Sequence, residues 1–401
     1  MDRYGVAGPS LKSLRTLRPH DTAHVPVYHN LVAHLCGVAQ GHYDATAAHV
    51  CAVLSCWAYA DAEVVATMMV RMGLERNLTR YVALINDAMF VSSKAYYVQS
   101  RCGRIGLLVY RGTEPFNLLT WATDANVSPI AIPVPGPGER PGHPLRIAKG
   151  ERSGSREKNG HQALVHNGFY INQRATWFDV ESTLVDALQG RSVVAGVEWR
   201  SVIADPESPG DTIAAPTNAL EALFVTGHSL GGAMAAIAAF RLAHDHGNPT
   251  ARSIVEKIRG VYTFGQPMVG NDAWARSLDG NPQYALLTRG LFRHVYGDDP
   301  VPSLPPVEAG TFTHTGVEYR TPVDLPAQPY WVPQPLGRSR TAMKVGKLAG
   351  SLFAFIERQL PGQWLFHLPF LKPQYSIYDH LPANYVLAST PLGKQNEFGD
   401  F

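Results

Sequence analysis

The run Gly227-His228-Ser229-Leu230-Gly231-Gly232 constrains this chain more than any other feature. An apolar segment, residues 222–226, leads into it, and a predicted helix of small residues, 232–244, leaves it. A serine on so tight a strand-to-helix turn has a strained backbone, so the residues two places to either side must lack a bulky Cβ. Gly227 and Gly231 meet that need. Ser229 then stands above the end of a sheet, and the helix N-terminus behind it favours the negative charge that develops when a serine attacks a carbonyl.

Acyl transfer also needs two donors aimed at the oxygen of the tetrahedral intermediate. One is expected to be the backbone N–H of Leu230. The other should come from a loop after an earlier strand, and Tyr110-Arg111-Gly112-Thr113, closing a predicted strand at 105–111, fits. Gly112 permits close approach, and Thr113 offers both its N–H and its hydroxyl. A serine hydroxyl is a weak nucleophile at neutral pH and needs a histidine base, itself oriented by a carboxylate. Where the chain order is serine, acid, histidine, Asp298 and Asp299 both qualify, at the end of a predicted strand 292–296. Three histidines compete as base: His314 on a predicted strand, His367 among Trp364, Leu365, Phe366 and Leu368, and His380 on a loop able to reach over the sheet.

Around this constellation, strand and helix patterns alternate. Helical spacing covers 47–72 with a break near Asp61, 170–188 through Ile171, Ala175, Phe178, Val185 and Leu188, and 341–360. Strand patterns cover 88–99, 105–111, 222–226, 261–264 and 292–296. Such alternation predicts an α/β fold with a largely parallel sheet covered by helices. Stretches near 128–160 and 321–340, rich in proline and glycine, read as surface insertions, which makes the 401 residues fit one domain at 47–390. Residues 1–46 are then an N-terminal extension and 391–401 a C-terminal tail.

Charged residues are 17% of the chain, against roughly 25% in ordinary domains, which suits contact with apolar material. The net charge of +2 supplies no long-range field for nucleic acid or anionic membrane, so neither is expected as a main partner. Four cysteines form no C-x-x-C pair and no zinc-like spacing. Cys51 and Cys56 fall about 140° apart on a predicted helix, so buried free thiols are expected, with no metal and no cofactor. His244 and His246, near a helix end, read as solvated. No stretch approaches the roughly 20 apolar residues of a spanning helix, and residues 1–26 show no secretory signal. The expected address is cytoplasmic, peripheral at lipid surfaces; a secreted mature form would read the same.

The motifs together resemble the class 3 (fungal-type) triacylglycerol lipase family, within the α/β-hydrolase superfamily. The likeness rests on Val109-Tyr110-Arg111-Gly112-Thr113, Trp121-Ala122-Thr123-Asp124, Val165-His166-Asn167-Gly168-Phe169 and the Ser229 turn. It continues through Tyr262-Thr263-Phe264-Gly265-Gln266-Pro267-Met268-Val269-Gly270-Asn271 and the proline-rich run from Asp299 to Pro306. The insertions and the segment around Asp379-His380-Leu381 resemble the plant oil-body branch. The resemblance implies an α/β-hydrolase fold and a lipid-ester hydrolase acting through an acyl-enzyme. It selects Asp299 as the acid and His380 as the base, leaving His314, His166 and His228 structural. It also implies a lid carrying Phe116, Leu118, Leu119 and Trp121 beside the oxyanion hole. The alternatives are an esterase for soluble short-chain esters or a phospholipase, and, more remotely, a non-catalytic lipid-binding scaffold.

Overall fold

Period-2 alternation with both faces apolar builds the centre of the molecule. In the strand Ala222–His228, Leu223 and Val225 pack into one hydrophobic layer while Ala222 and Phe224 pack into the other. A strand dry on both faces belongs between two layers of helices. The computed structural model describes residues 27–86, 91–112, 129–131, 163–195, 201–203, 216–245, 247–305, 310–321, 331–335, 377–394 and 396.

In chain order the strands are β1 (Leu78–Asn86), β2 (Val91–Gln99), β3 (Ile105–Tyr110), β4 (Pro129–Ala131), β5 (Leu164–His166), β6 (Ser201–Ile203) and β7 (Ala222–His228). They continue with β8 (Ile258–Phe264), β9 (Gly270–Asn271), β10 (Leu291–Val295), β11 (Phe312–Thr313), β12 (Val317–Arg320) and β13 (Val332–Pro333). The main sheet has nine described strands in the order β13-β12-β10-β8-β7-β3-β2-β1-β6. Its centre, β12 through β3, is parallel, and antiparallel strands flank it on both sides. A smaller sheet, β11-β9-β5-β4, lies apart from it. The architecture is the α/β type expected from the sequence, a mostly parallel central sheet covered by helices.

One helix layer holds Asn167–Ala175, Trp177–Leu188, Leu230–His244 and Pro249–Lys257; the other holds Leu31–Gly37, Ala45–Trp57, Ala62–Met72 and Pro382–Ser389. Leu230–His244 is buried around its whole circumference except at Arg241, and its many alanines and glycines let the neighbouring layers approach it closely between its few large side chains. Asp44 caps Ala45–Trp57 by accepting the Ala47 N–H at 2.8 Å. Among the described residues no helix is long and apolar enough to cross a membrane. The four cysteines are thiols outside any disulfide; Cys51 and Cys56 are buried, Cys36 and Cys102 half-buried.

Three differences from the sequence reading have physical causes. The helix expected at 170–188 is two helices, broken at Thr176, whose backbone leaves helical geometry (φ −103°, ψ 2°) as its hydroxyl bonds to Ser93. The break resets the helical phase, so Phe178 is 82% exposed and its neighbour Trp177 takes the buried place. β1 escaped notice because its far end, Leu84 to Asn86, is exposed, which spoils the alternation. His244 is buried rather than solvated, beside the Tyr284 hydroxyl at 3.1 Å, and burial lowers its pKa. His246, the helix expected at 341–360 and most of the two insertions lie outside the described residues.

Candidate active site

β7 ends at the turn that carries Ser229. Ser229 has φ 60° and ψ −130°, a left-handed backbone that a side-chain-bearing residue holds only when its surroundings impose it. Those surroundings are visible. The Ser229 N–H donates to the Phe264 carbonyl at 2.8 Å, a Cβ on Gly227 would overlap the Gly231 carbonyl, and one on Gly231 would overlap that of Tyr110. The two glycines are therefore required, as the sequence indicated. The Ser229 hydroxyl is buried and has no hydrogen-bond partner among the described residues. Leu230 opens the following helix, where first-turn N–H groups lack an intrahelical acceptor.

Asp299 lies in the turn after β10, and the chain returns to it through the loop Ile377–His380. The His380 Nδ1 and the Asp299 Oδ2 are 2.8 Å apart, both side chains buried. A carboxylate can only accept, so Nδ1 carries the proton and Nε2 is left as the basic nitrogen. Asp299 Oδ2 also accepts the Tyr385 hydroxyl at 2.5 Å, and Oδ1 accepts the Val301 N–H at 2.8 Å. Burial, then the Asp299 charge, push the Tyr385 hydroxyl well above its ordinary pKa, so it stays a donor.

The rest of the surroundings tie this pair to the turn that carries Ser229. Gly265, directly after β8, faces both the Asp299 carboxylate and the His380 ring. His228, immediately before Ser229, lies with its ring centroid 4.5 Å from that of His380. Its Nε2 donates to the His380 carbonyl at 2.7 Å, and its Nδ1 accepts the Tyr59 hydroxyl at 2.9 Å. Burial, reinforced by the neighbouring His380 charge, keeps His228 well below the usual histidine pKa. Chemically the group is a buried serine, an imidazole with one free basic nitrogen, and a carboxylate that orients it.

The competing candidates fall elsewhere. His314 follows β11 rather than lying in it, and its Nε2 donates to the Pro302 carbonyl at 2.7 Å. Burial, and then the Arg293 charge, hold it neutral. His166 caps the helix Asn167–Ala175, accepting from the Phe169 N–H, and burial lowers its pKa to about 3. The Asp298 backbone N–H bonds to Asp379, and Asp298 is exposed. Gly112 comes within close reach of the turn: a Cβ there would stand 2.6 Å from the His228 carbonyl oxygen and 3.1 Å from the Ser229 Cβ. Thr113, Phe116, Leu118, Leu119, Trp121 and His367 lie outside the described residues. Tyr385 and Tyr59 were not foreseen in these roles. Tyr385 stood five residues after the base as its only signal, and nothing local singles out Tyr59, which arrives from the turn after the helix Ala45–Trp57, far upstream.

The family model described as lipase (class 3) matches residues 214–309. The secreted mono- and diacylglycerol lipase 1 of Fusarium solani is 34% identical over 157 residues, 39% of this chain and 42% of that protein. Triacylglycerol lipase OBL1 of Arabidopsis thaliana is 26% identical over 259 residues, 64% of this chain and 45% of that protein. The chain thus spans less than half the length of these curated relatives. The solved lipase of Rhizopus microsporus var. chinensis is 18% identical, with 92% of this chain and 94% of that one covered at a TM-score of 0.46. The segment 214–309 carries both the Ser229 turn and the Asp299 turn, and over it the chain is similar to the class 3 lipases.

Proposed function

We propose that the chain is a serine carboxylic-ester hydrolase for lipid esters, with Ser229 as nucleophile, His380 as base and Asp299 as the acid that orients it. The observation that carries this reading is the buried His380–Asp299 pair at 2.8 Å, set against the residue that precedes a serine of strained backbone. The Ser229 hydroxyl attacks the ester carbonyl while His380 Nε2 takes its proton. Leu230 and Thr113 donate to the oxyanion, and the proton passes to the departing alcohol. Water then attacks the acyl-enzyme by the same route in reverse, releasing the carboxylic acid and restoring Ser229.

Lipid esters are favoured as substrates by the apolar load of Phe116, Leu118, Leu119 and Trp121 directly after Thr113 and by the lipase names of the relatives. On this reading those residues form a lid, the enzyme works at the surface of a lipid aggregate, and 47–390 is its catalytic domain. A fluorophosphonate probe should label the protein once, at Ser229. Ser229→Ala should abolish both labelling and hydrolysis of p-nitrophenyl esters; full activity in that variant would end the proposal.

A further inference from the structure

The three groups assigned to catalysis sit on three separate turns, after β7, after β10 and before the helix Pro382–Ser389. In each case the residue one place upstream also takes part in a bond between turns. His228, before Ser229, donates through Nε2 to the backbone carbonyl of His380 at 2.7 Å. Asp379, before His380, accepts through Oδ2 the backbone N–H of Asp298 at 2.8 Å, and Asp298 precedes Asp299. We propose that His228 and Asp379 are positioning residues, a second set of ties that fixes the base turn to the nucleophile turn on one side and to the acid turn on the other. This rests on the ester-hydrolase reading above.

Both ties are built for one arrangement. A carbonyl can only accept, so His228 Nε2 carries the proton, and Nδ1, left bare, is the acceptor that Tyr59 fills at 2.9 Å. That hydroxyl fixes the tautomer. Asp379 closes on the acid turn because Gly297 has no side chain: a Cβ there would come within 2.5 Å of the Asp379 carboxylate. The backbone of residues 379–380 is thereby held at two points. The imidazole between them can swing little, which matters because misplacing a reacting group by about 1 Å costs about 10²-fold in rate. The groups facing the His380 ring are the His228 ring, the Asp299 carboxylate and Tyr385, with the Asp379 and Asp298 charges at its backbone.

The test compares variants that keep or lose the bond at equal charge. Asp379→Asn keeps an acceptor and Asp379→Ala does not, while both remove the charge; His228→Gln keeps a side-chain N–H donor and His228→Ala does not. On the full chain, Ser229 is titrated with a fluorophosphonate, and kcat, KM and the pH profile of kcat/KM are measured on a soluble p-nitrophenyl ester. Each alanine variant should lose about tenfold or more in kcat per titrated site, with KM within about twofold of the wild type. The acid limb of its profile should move to lower pH than in the Asn or Gln partner, because a badly placed carboxylate stabilises the imidazolium less. The Asn and Gln variants should recover most of the loss in kcat. Asp379 is only half-buried, so its pair carries the test if His228→Ala fails to fold. Alanine variants as fast as the wild type, Asn and Gln variants as slow as alanine, or an unmoved acid limb would each overturn the proposal. A wild-type chain that the probe does not label at Ser229 would instead overturn the ester-hydrolase reading.

Discussion

Replacing Gly265 by alanine puts one methyl group where the acid and base meet. Gly265 has φ +59°, and its Cβ would stand 2.7 Å from Asp299 Oδ2, 2.8 Å from His380 Nδ1 and 2.9 Å from His380 Cε1. Unstrained contacts to carbon need about 3.5 Å, so the pair must retreat by roughly 0.7 Å. The hydrogen bond it would disturb spans 2.8 Å, and such bonds weaken steeply beyond about 3.2 Å. The loss in kcat should lie between about 10²-fold, for a misplacement near 1 Å, and about 10⁴-fold, for a base without its orienting carboxylate. The left-handed backbone itself costs an alanine about 1–2 kcal/mol of stability. Gly280→Ala separates the two effects, since Gly280 has φ +75° with nothing within 4 Å of its would-be Cβ. Both variants should melt a few degrees below the wild type. Only Gly265→Ala should lose rate per fluorophosphonate-titrated serine. If Gly265→Ala kept kcat within about threefold of Gly280→Ala, the pair would not be the working acid and base.

Burial lowers His49 to about 4 and His166 and His294 to about 3, so the unfolded chain binds more protons than the folded one below pH about 6.5. Stability is therefore full above that pH and falls as the pH drops toward 4, by up to about 2 kcal/mol per histidine at pH 5; a Tm unchanged between pH 7 and pH 5 would refute this. Asp299→Asn should cut kcat by about 10³-fold or more while Asp298→Asn keeps most of it, and the reverse ranking would move the acid by one residue. If Leu118 and Trp121 belong to a lid, each exposes about 1.5–3 kcal/mol of apolar surface on opening in water. The rate should then rise sharply where a short-chain ester passes from solution to emulsion, and Leu118→Ser with Trp121→Ser should flatten that rise. A smooth saturation curve in the wild type would remove the lid.

What could be read in advance was what short-range chemistry dictates. The Ser229 turn announces itself because its two glycines are forced by backbone overlap, and the parallel strands announce themselves because both their faces are dry. The pairing of Asp299 with His380 was to be expected only through family resemblance, since the residues alone left two acids and three bases open. What escaped depends on distant partners. Thr176 ends a helix because Ser93 offers it a bond, and His244 is buried because Tyr284 comes over it. Likewise, Tyr59 reaches His228 across 169 positions of sequence. Periodicity cannot register any of these.

The enclosure of Leu230–His244 has a kinetic side. With only Arg241 of its fifteen residues less than fully buried, its amides meet solvent only when the layers around it separate, which places them among the slowest to exchange with deuterium. The strained turn of Ser229 is thus anchored to the last part of the molecule to open. Heating should then erase catalytic competence and native structure in one step, with no folded but inactive species in between.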